Sequence, residues 1–371
     1  MKVVFDAYWW VSGPPSLRHV LREIVAAWSS AFPDDELTLV VRRDDHAAAS
    51  VDAPAGCALV TTSLWPQALA ATIAVPAAAT AVDADLVLTH NFAAHAPGSL
   101  SAVYLHDVLF ATNPEWFTAV ERAYFSLMLR WIRRADLVLT SSSSEASRIR
   151  ATTRARTVLP VGLGLSSELT ADGAALEADA ELTPGRFVLT VGRLNARKNL
   201  ALTIEAALAS GCITADRPLV VVGSADGRPA VLGRAVDDAI AARMVRFTGF
   251  VSESRLRWYY RNASLFVFLS LGEGFGMPPV EAAYFSAPTL VSDLPVFHET
   301  LGRHASFVDP TDAAAVARAI AAGVQAGEAR RVPARPRASI ARRHDWSDTV
   351  HAIRSSVVER REAAMVSSLR P

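Results

Sequence analysis

The sequence predicts an α/β protein built from two doubly wound domains that face one another across a cleft. Short apolar runs of strand length alternate with amphipathic helical patterns along the chain, which is typical of parallel sheets covered by helices on both faces. Glycine, serine, alanine and acidic residues interrupt this pattern between residues 161 and 185, and it then begins again. At 371 residues the chain is long enough for two such domains.

The strands and helices can be assigned in order. In the first half we predict strands at 2–5, 37–41, 85–89, 101–105 and 136–140, and helices at 16–31 and 121–133. In the second half we predict strands at 187–191, 219–222, 245–248, 265–269, 289–291 and 306–308, a helix at 200–209, and a final helix from residue 348 to about 365. The expected boundaries are a first domain at 1–165, a linker at 166–185 and a second domain at 186–345, with a C-terminal helix at 346–371 that packs back toward the first domain.

The composition narrows the classes of function. Hydrophobic residues make up 51% and charged residues 20%, as in folded globular proteins. Lys+Arg and Asp+Glu each total 37, so no net charge favours nucleic acid as a partner. The chain starts without a signal-peptide pattern, and its two cysteines fall in different predicted domains. We therefore expect a cytoplasmic protein without a disulfide.

Membrane contact is expected to be peripheral, on the inner face of the cell membrane. No charged residue occurs between residues 53 and 82, but prolines interrupt this stretch and alanine dominates it, which argues against a transmembrane span. Arginines near 130–134 and 148–156 are candidates for contact with an anionic membrane. A solvated helix face explains these arginines equally well.

Ligands of doubly wound domains bind beyond the carboxyl ends of the strands. In the first half the residues at those positions are Asp6, His90, Asn91, His106, Asp107 and the serines at 141–144. A lone histidine is more often structural. The position of His106, and more weakly that of His90, at a strand end favours a functional role.

The most informative stretch runs from Ser270 to Glu281. Glu273 and Glu281 are separated by seven residues that include two glycines and two prolines, between a predicted strand and a predicted helix. Pro279 suits the first turn of a helix, which also places Glu281 in that turn. Glu281 could simply complement the helix dipole. The spacing, together with the glycines that let backbone amides approach a ligand, favours a binding site.

A basic loop follows the first predicted strand of the second domain. Gly192 permits a tight turn, and Arg193 and Lys198 flank the loop. Arginine offers a bidentate fork for phosphate oxygens and lysine a compact charge. A solvated basic loop is the simpler interpretation, but this loop belongs to the same predicted domain as Glu273 and Glu281, which favours a phosphate site.

Together these elements resemble the retaining glycosyltransferases with the GT-B fold of the family-4 type (glycosyl transferases group 1), and in particular the mannosyl- and rhamnosyltransferase-like members. Residues 192–199 match the family's Gly-Arg-Leu-x3-Lys-Asn element, 248–251 the Gly-x-Val turn beside the nucleobase, and 271–281 the Glu-x7-Glu loop. Residues 104–107 resemble the family's His-Asp segment less sharply.

The resemblance implies a role for each matched residue. Arg193 and Lys198 would bind the diphosphate of a nucleotide-sugar, Glu281 the ribose, and Glu273 with the glycine amides the transferred sugar, while His106 would line the reaction centre. The implied catalytic set is His106, Arg193, Lys198 and Glu273, and the implied donor-binding set is Gly192, Asn199, Phe250, Val251, Gly274, Phe275, Gly276, Val280 and Glu281.

The implied reaction transfers a hexose or deoxyhexose, with retention, from a GDP-, UDP- or dTDP-linked donor to a hydroxyl of a cell-surface glycan or lipid-linked glycan. No metal or other cofactor is expected, because cationic side chains take the place of a divalent ion. Asp83-Ala84-Asp85 has the Asp-x-Asp form of a metal–diphosphate site, but it precedes a strand and is interpreted as chance.

The first loop departs from the family pattern. Where members often carry a glycine-rich loop, this chain has two tryptophans and two prolines. Aromatic rings stack on sugar C–H faces, so we hypothesise an acceptor platform. The candidate acceptor-binding residues are Trp9, Trp10, Ser12, Gly13, His90 and Asp107.

Two other functions stay open at this point. One is a non-catalytic nucleotide-sugar-binding subunit of the same fold, against which the intact charged residues argue. The other is an epimerase or phosphorylase on the same scaffold, although nothing in the chain marks a lysine for pyridoxal phosphate.

Overall fold

The computed structural model describes residues 1–171, 173–192, 195–223, 233–328 and 337–368. The chain divides into two compact units. Unit 1 comprises Met1–Thr112, Ala119–Ser166 and the chain from His344 onward, and unit 2 comprises Asn113–Thr118 and Ser167–Arg343. Each unit is built on its own parallel sheet, so the predicted two-domain α/β fold class is confirmed.

Unit 1 contains a seven-stranded sheet in the order β3-β2-β1-β4-β5-β6-β7. Its strands are β1 (Lys2–Asp6), β2 (Glu36–Arg42), β3 (Ala58–Thr62), β4 (Leu86–His90), β5 (Leu100–Leu105), β6 (Leu137–Thr140) and β7 (Val158–Pro160). The pairings run parallel, and every residue of β4 is buried, as expected for a strand with helices on both faces. The strand order reverses between β1 and β4, which opens a crevice at their carboxyl ends.

Unit 2 repeats this design with six parallel strands in the order β10-β9-β8-β11-β12-β13. They are β8 (Val188–Val191), β9 (Leu219–Val222), β10 (Val245–Gly249), β11 (Leu265–Phe268), β12 (Thr289–Ser292) and β13 (Ser306–Val308). The core between the sheet and its helices is aliphatic and includes Ile204, Leu219, Val267 and Ile320. Here the order reverses between β8 and β11.

Helices cover both sheets. Those of the first half are α1 (Pro15–Ala31), α2 (His46–Asp52), α3 (Gln67–Leu69), α4 (Val75–Val82), α5 (Leu109–Thr112), α6 (Ala119–Trp131) and α7 (Ser143–Thr152). Those of the second half are α8 (Ser167–Thr170), α9 (Leu200–Ala209), α10 (Arg234–Ala241), α11 (Glu253–Asn262), α12 (Met277–Tyr284), α13 (Pro295–Leu301), α14 (Ala313–Glu328), α15 (Ala338–Arg343) and α16 (Trp346–Ser368). A π-helical turn, Ala70–Ala74, makes α3 and α4 one continuous helical segment. Among the described residues, no helix is both long and apolar enough to cross a membrane.

Two strands, β3 and β7, were not predicted from the sequence, and their position in the sheet explains why. β3 and β7 are the edge strands of the unit 1 sheet. Most of β3 is exposed or half-buried, and β7 has three residues and ends in Pro160. Edge strands bury little surface, so their sequences lack the continuous apolar run that reveals a central strand.

The segment between the two sheets is held on unit 2 by one buried arginine. Arg257 of α11 is 6% exposed, and its guanidinium donates to the carbonyl oxygens of Glu168, Leu169 and Ala175 at 2.6–2.8 Å. Nearby, the Tyr259 hydroxyl donates to Asp179 at 2.8 Å. A buried guanidinium needs acceptors for its N–H groups, and here backbone carbonyl oxygens provide them. The packing of this segment on unit 2 therefore depends on its backbone and not on a pattern of side chains.

Asp35 connects both ends of the chain within unit 1. Its carboxylate accepts from the Met1 ammonium at 2.6 Å, from Trp28 Nε1 at 3.0 Å and from Arg354 of α16 at 2.9 and 3.1 Å. Burial acts to raise the pKa of Asp35, but these donors outweigh it and the pKa lies below its ordinary value. The ionised carboxylate therefore stabilises the packing of α16 on α1.

We expect Arg354→Met to lower the free energy of unfolding at pH 7 by about 1–3 kcal/mol, because a buried carboxylate loses a charged donor. The difference from wild type should shrink as the pH falls below about 4, where Asp35 takes up a proton. Urea unfolding at several pH values measures both effects. The control is Arg360→Met on the same helix, which removes a single bond to Thr157. An equal loss in both variants would contradict the role given to Asp35.

Candidate functional site

The candidate site in unit 2 lies where the strand order reverses. The loops that follow β8, β11 and β12 are joined there by hydrogen bonds. The Leu271 amide donates to the carbonyl oxygen of Arg197 at 2.9 Å, and Ser292 Oγ donates to the carbonyl oxygen of Ser270 at 2.7 Å. Since ligands of doubly wound sheets bind at this point, the side chains on these loops are the candidates for ligand contact.

Glu273 is the centre of a buried ion cluster. Its carboxylate accepts from Lys198 Nζ at 2.6 Å, from Arg197 Nη1 at 2.9 Å and from Ser270 Oγ at 2.5 Å. Glu273 is 7% exposed. Burial acts to raise the pKa of Glu273, but the charges of Arg197 and Lys198 outweigh it and lower the pKa to about 2. Glu273 is therefore ionised at any physiological pH.

Arg197 was not among the predicted site residues. Besides contacting Glu273, its Nη1 donates to the carbonyl oxygen of Gly272 at 2.8 Å, which fixes the start of the glycine loop. The available signal was the pair of adjacent cations in the sequence, of which only Lys198 was assigned a role. Lys198 also lies over the Phe268 ring, 4.5 Å from its centre. Lys2 and Lys198 are the chain's two lysines, and every other basic residue is arginine or histidine.

The other predicted residues of this loop lie beside the cluster. The Gly192 amide donates to the carbonyl oxygen of Val222 at 2.9 Å, where β8 ends. Asn199 has a left-handed backbone, and its side-chain amide donates to the carbonyl oxygen of Pro310 at 2.8 Å. The structure thus gives the Asn199 side chain a structural contact between α9 and the loop after β13. Arg193 lies outside the described residues.

The glycine loop leads directly into α12. Gly276 adopts φ +89° next to the helix, and a Cβ at this position would lie 2.4 Å from the Phe297 ring, so only glycine fits. Gly274 lies in the same turn. Phe275 and Val280, predicted to bind the donor, are 7% and 1% exposed, so their side chains pack in the interior.

The predicted position of Glu281 is wrong by one turn. Helix α12 begins at Met277, with proline in its first positions, and its first turn contains no acidic residue. Glu281 therefore lies in the second turn, where a charge gains little from the helix dipole. This weakens the purely structural explanation for its presence.

Glu281 has the opposite electrostatic environment to Glu273. Burial raises its pKa to about 7, and the nearby Glu253 adds to this effect, while the Tyr260 hydroxyl, which donates at 2.8 Å, opposes it. Two carboxylates on one loop and helix thus have pKa values pushed apart by their surroundings. Such divergence is common where carboxylates have different functional tasks.

Phe250 and Val251 mark a second surface of unit 2. Phe250 is 83% exposed and lies beside an open cavity of about 410 Å³ at the end of β10. Tyr259, Arg255 and Glu177 also line this cavity. Its mixture of aromatic, cationic and anionic groups suits a flat polar ring.

In unit 1, Gln67 connects the residues at the carboxyl ends of β1 and β4. Its Nε2 donates to Asp6 Oδ2 at 2.9 Å and to the carbonyl oxygen of His90 at 3.1 Å, while its Oε1 accepts from Trp9 Nε1 at 2.9 Å. Burial raises the pKa of Asp6 to about 6, although hydrogen bonds from the Gln67 side chain and from the Tyr8 and His90 backbones oppose it. Gln67 gave no signal in the sequence, because a single amide in an apolar stretch has no motif.

His90 and His106 form a neutral pair. Their rings are nearly parallel with centres 5.7 Å apart. Burial lowers the pKa of His90 to about 4 and that of His106 well below its ordinary value, so both are uncharged at neutral pH. Among the described residues, neither ring nitrogen of His90 nor Nε2 of His106 has a hydrogen-bond partner.

The segment after His106 is fixed by a buried acid that the sequence did not reveal. Glu145 accepts from the Val108 amide at 2.9 Å and pairs with Arg148. Burial raises the pKa of Glu145 to about 7, and the charge of Asp107 contributes to this shift. Asp107 itself accepts from the Leu109 amide at 3.2 Å.

The two tryptophans of the loop after β1 differ in burial. Trp10 is 2% exposed, so its ring is not available for sugar stacking, contrary to our hypothesis for this residue. Trp9 is half-buried, and its ring covers Gly13 so closely that a Cβ there would lie 2.2 Å away. Ser12 Oγ accepts from Arg42 at 2.7 Å and donates to Asp45 at 3.1 Å. Of the two tryptophans, Trp9 is the one left as a candidate.

Part of the second half of the chain matches a known family. Residues 177–335 match the family model of glycosyl transferases group 1, and this range contains the Lys198–Glu273 cluster and Glu281. The chain contains a group 1 glycosyltransferase domain. Within the parts of the chain that the structure describes, no group of three or more His, Cys, Asp or Glu side chains could hold a metal ion.

Two curated relatives that match parts of this chain are named as mannosyltransferases. The chain is 28% identical over 223 residues to the serotype-specific mannosyltransferase WbdA of Escherichia coli, covering 56% of this chain and 27% of that protein. It is 38% identical over 94 residues to the O-antigen chain mannosyltransferase RfbU of Salmonella typhimurium, covering 25% of this chain and 26% of that protein. The chain thus spans about a quarter of the length of these curated relatives.

Solved structures confirm the fold. Sucrose-phosphate synthase from Thermosynechococcus elongatus superposes with a TM-score of 0.66 at 17% identity, covering 98% of this chain and 100% of that one. The predicted GT-B fold is therefore confirmed by likeness over nearly the whole chain, outside as well as inside the group 1 domain.

We expect Glu273→Gln and Glu281→Gln to change stability in opposite directions. Glu273→Gln removes the buried charge that pairs with both Arg197 and Lys198, which should cost about 3–5 kcal/mol at pH 7. Glu281→Gln removes a carboxyl whose raised pKa destabilises the folded state above the unfolded pKa, so it should stabilise by up to about 3 kcal/mol at pH 8.

Urea unfolding at pH 4 and pH 8 tests this expectation. The gain in Glu281→Gln should nearly vanish at pH 4, where the wild-type carboxyl is protonated in both states. The amide of the variant still accepts from Tyr260, so the comparison isolates the charge. A Glu281→Gln variant less stable than wild type at pH 8 would show that the carboxyl is not destabilised by burial.

Proposed function

We propose that the protein is a retaining glycosyltransferase that transfers a hexose or deoxyhexose, most specifically mannose, from a nucleotide-diphosphate sugar to a hydroxyl of a cell-surface glycan or lipid-linked glycan. The observation that carries the proposal is the buried cluster of Lys198, Arg197 and Glu273 at the strand reversal of a group 1 domain. The names of the relatives, which are mannosyltransferases of O-antigen and serotype-specific glycans, support the choice of sugar and acceptor class.

The donor binds along the carboxyl edge of the unit 2 sheet. Lys198 contacts the diphosphate, as does Arg193. The ribose hydroxyls donate to Glu281, and the transferred sugar donates to Glu273. Because two cations already neutralise Glu273, a doubly charged diphosphate can approach this loop without facing an uncompensated carboxylate.

The base binds against Phe250 and Val251. The exposed Phe250 ring offers a stacking surface, and the neighbouring cavity contains donors and acceptors that can discriminate one base from another. The group of possible donors comprises the GDP-, UDP- and dTDP-sugars.

In the chemical step the bond from the anomeric carbon to the leaving phosphate breaks, and positive charge develops on the sugar ring. The acceptor oxygen attacks from the face the diphosphate leaves, and its proton passes to an oxygen of that diphosphate, so the configuration is retained. Lys198 offsets the negative charge that grows on the leaving group. His106, which is neutral, can hydrogen-bond the sugar or acceptor without adding charge near the cationic centre.

We expect one nucleotide series to bind, and the binding to withstand EDTA. Thermal-shift measurements with GDP-, UDP- and dTDP-sugars identify the series, and the shift should be lost in Glu281→Ala. Lys198→Met should lower kcat by about 10²–10³-fold, the usual effect of removing one preorganised charge from the transition state. Inhibition by EDTA would contradict the metal-free mechanism.

The chain has two lysines, so Lys2 can serve as an internal control for chemical modification of Lys198. Acetylation of Lys198, followed by mass spectrometry, should slow when the matching nucleotide-sugar is present, because its ammonium then lies against phosphate. Lys2, whose Nζ donates to the Val82 carbonyl in unit 1, should react at an unchanged rate. Binding without protection of Lys198 would exclude it from the diphosphate site, and binding without turnover would favour the non-catalytic nucleotide-sugar-binding subunit.

We also expect Trp9→Ala to raise the acceptor KM without changing the donor KM, because the half-buried Trp9 ring is available to stack on a sugar. Trp10→Phe is the matched control, since the buried Trp10 ring is replaced by another that fills the core. Steady-state kinetics with varied acceptor measure both. Unchanged acceptor kinetics in Trp9→Ala would exclude the platform.

A further inference from the structure

The helical segment of residues 67–82, formed by α3, the π-helical turn and α4, has an unusual outer face. Trp65 just before it is 77% exposed, Leu69 is 40% exposed and Ile73 is 55% exposed. Ala77, one turn further on, is also exposed. Leu69, Ile73 and Ala77 are spaced four residues apart, so they lie on the same face of the helical segment. Together with Trp65, which precedes the segment, we call them the apolar stripe.

The opposite face of the segment is already packed. Val75, Ala78 and Ala79 belong to a buried cluster with Val4 of β1 and Val87 of β4. Surface helices normally present charged residues on the side away from the core, whereas a helix that is apolar all round is buried on all sides. No charged residue occurs between residues 53 and 82. The apolar stripe therefore has the composition of a covered surface while the structure leaves it exposed.

The dimensions of the apolar stripe argue against a second protein as its partner. The stripe is one residue wide, its helical part spans about two turns, and it exposes a few hundred Å², whereas a stable interface buries roughly 800 Å² per partner. A lipid surface needs no shape complementarity and rewards each inserted apolar group separately. A tryptophan at the end of such a row suits the boundary between hydrocarbon and water.

The apolar stripe is also continuous with the candidate acceptor residues. It begins beside Gln67, the residue that bonds to Asp6, Trp9 and the carbonyl of His90. A membrane that covered the stripe would therefore lie next to the carboxyl ends of β1 and β4.

We propose that Trp65, Leu69, Ile73 and Ala77 dock unit 1 on the surface of a lipid bilayer by shallow insertion of their side chains. Because the segment carries no Lys or Arg, insertion and not charge attraction provides the binding. Neutral, zwitterionic vesicles are therefore sufficient, and salt does not weaken the interaction. Docking of this surface does not depend on the proposed glycosyltransferase activity.

The test is flotation of the full-length protein with phosphatidylcholine vesicles at low and high salt. Wild type should float with the vesicles at both salt concentrations. Leu69→Gln/Ile73→Gln, which changes no charge, should reduce the bound fraction roughly tenfold. The matched control is Val51→Gln, which replaces an 84% exposed valine on α2 and should float like wild type. Because all three positions are exposed, the thermal midpoints should stay within a few degrees of wild type.

Several results would overturn the proposal. Wild type that stays in solution with neutral vesicles would exclude docking by insertion. Binding that requires anionic lipid and disappears in salt would assign the contact to the arginines instead. If sedimentation shows wild type to be a dimer and the double variant a monomer, the apolar stripe is an interface between two copies of this chain. Equal flotation of the double variant and wild type would place the membrane contact elsewhere.

Discussion

The reversal of strand order in each sheet is the constraint on which the candidate site depends. On either side of the reversal the connecting loops turn away in opposite directions, so a crevice is left at the carboxyl ends of two neighbouring strands. Lys198 follows β8 and Glu273 follows β11, and their 2.6 Å contact crosses this point in unit 2. Asp6 ends β1 and His90 ends β4, and Gln67 joins them across the same point in unit 1. Topology thus brings together residues that are 75 and 84 positions apart in the chain.

The two carboxylates of unit 2 show how one residue type acquires two properties. Glu273 is buried with two cations and a hydroxyl, so its charge is balanced and its pKa is low. Glu281 is also largely withdrawn from water, but it has one neutral donor, Tyr260, and an acidic neighbour, so its pKa is high. A balanced charge rigidifies the loop, whereas an unbalanced one costs stability and is available to an incoming hydroxyl donor. Stability alone would not retain Glu281.

Central strands and the motif loops could be predicted from the sequence, because buried parallel strands read as continuous apolar runs and the loops between them carry glycine and charge. The 219–222 prediction, for example, coincides with the central strand β9. The edge strands β3 and β7 of the unit 1 sheet, the start of α12 and the contacts of single side chains could not be predicted. Arg197 and Glu145 take their importance from partners distant in sequence, and Trp10 from burial that no local pattern encodes.

The uncharged stretch shows why composition alone misplaces a surface. In the sequence, residues 53–82 lack charge but are interrupted by prolines, and the arginines at 130–134 and 148–156 are the more obvious candidates for membrane contact. In the structure, Arg148 pairs with the buried Glu145, and Arg150 donates to the Val158 carbonyl at 2.6 Å, so both have internal tasks. Within the uncharged stretch, residues 67–82 instead form a helical segment with alanine and valine turned inward and Leu69 and Ile73 exposed, and the exposed Trp65 lies just before it. When both faces of a helix are apolar, only the fold reveals which one the protein itself has covered.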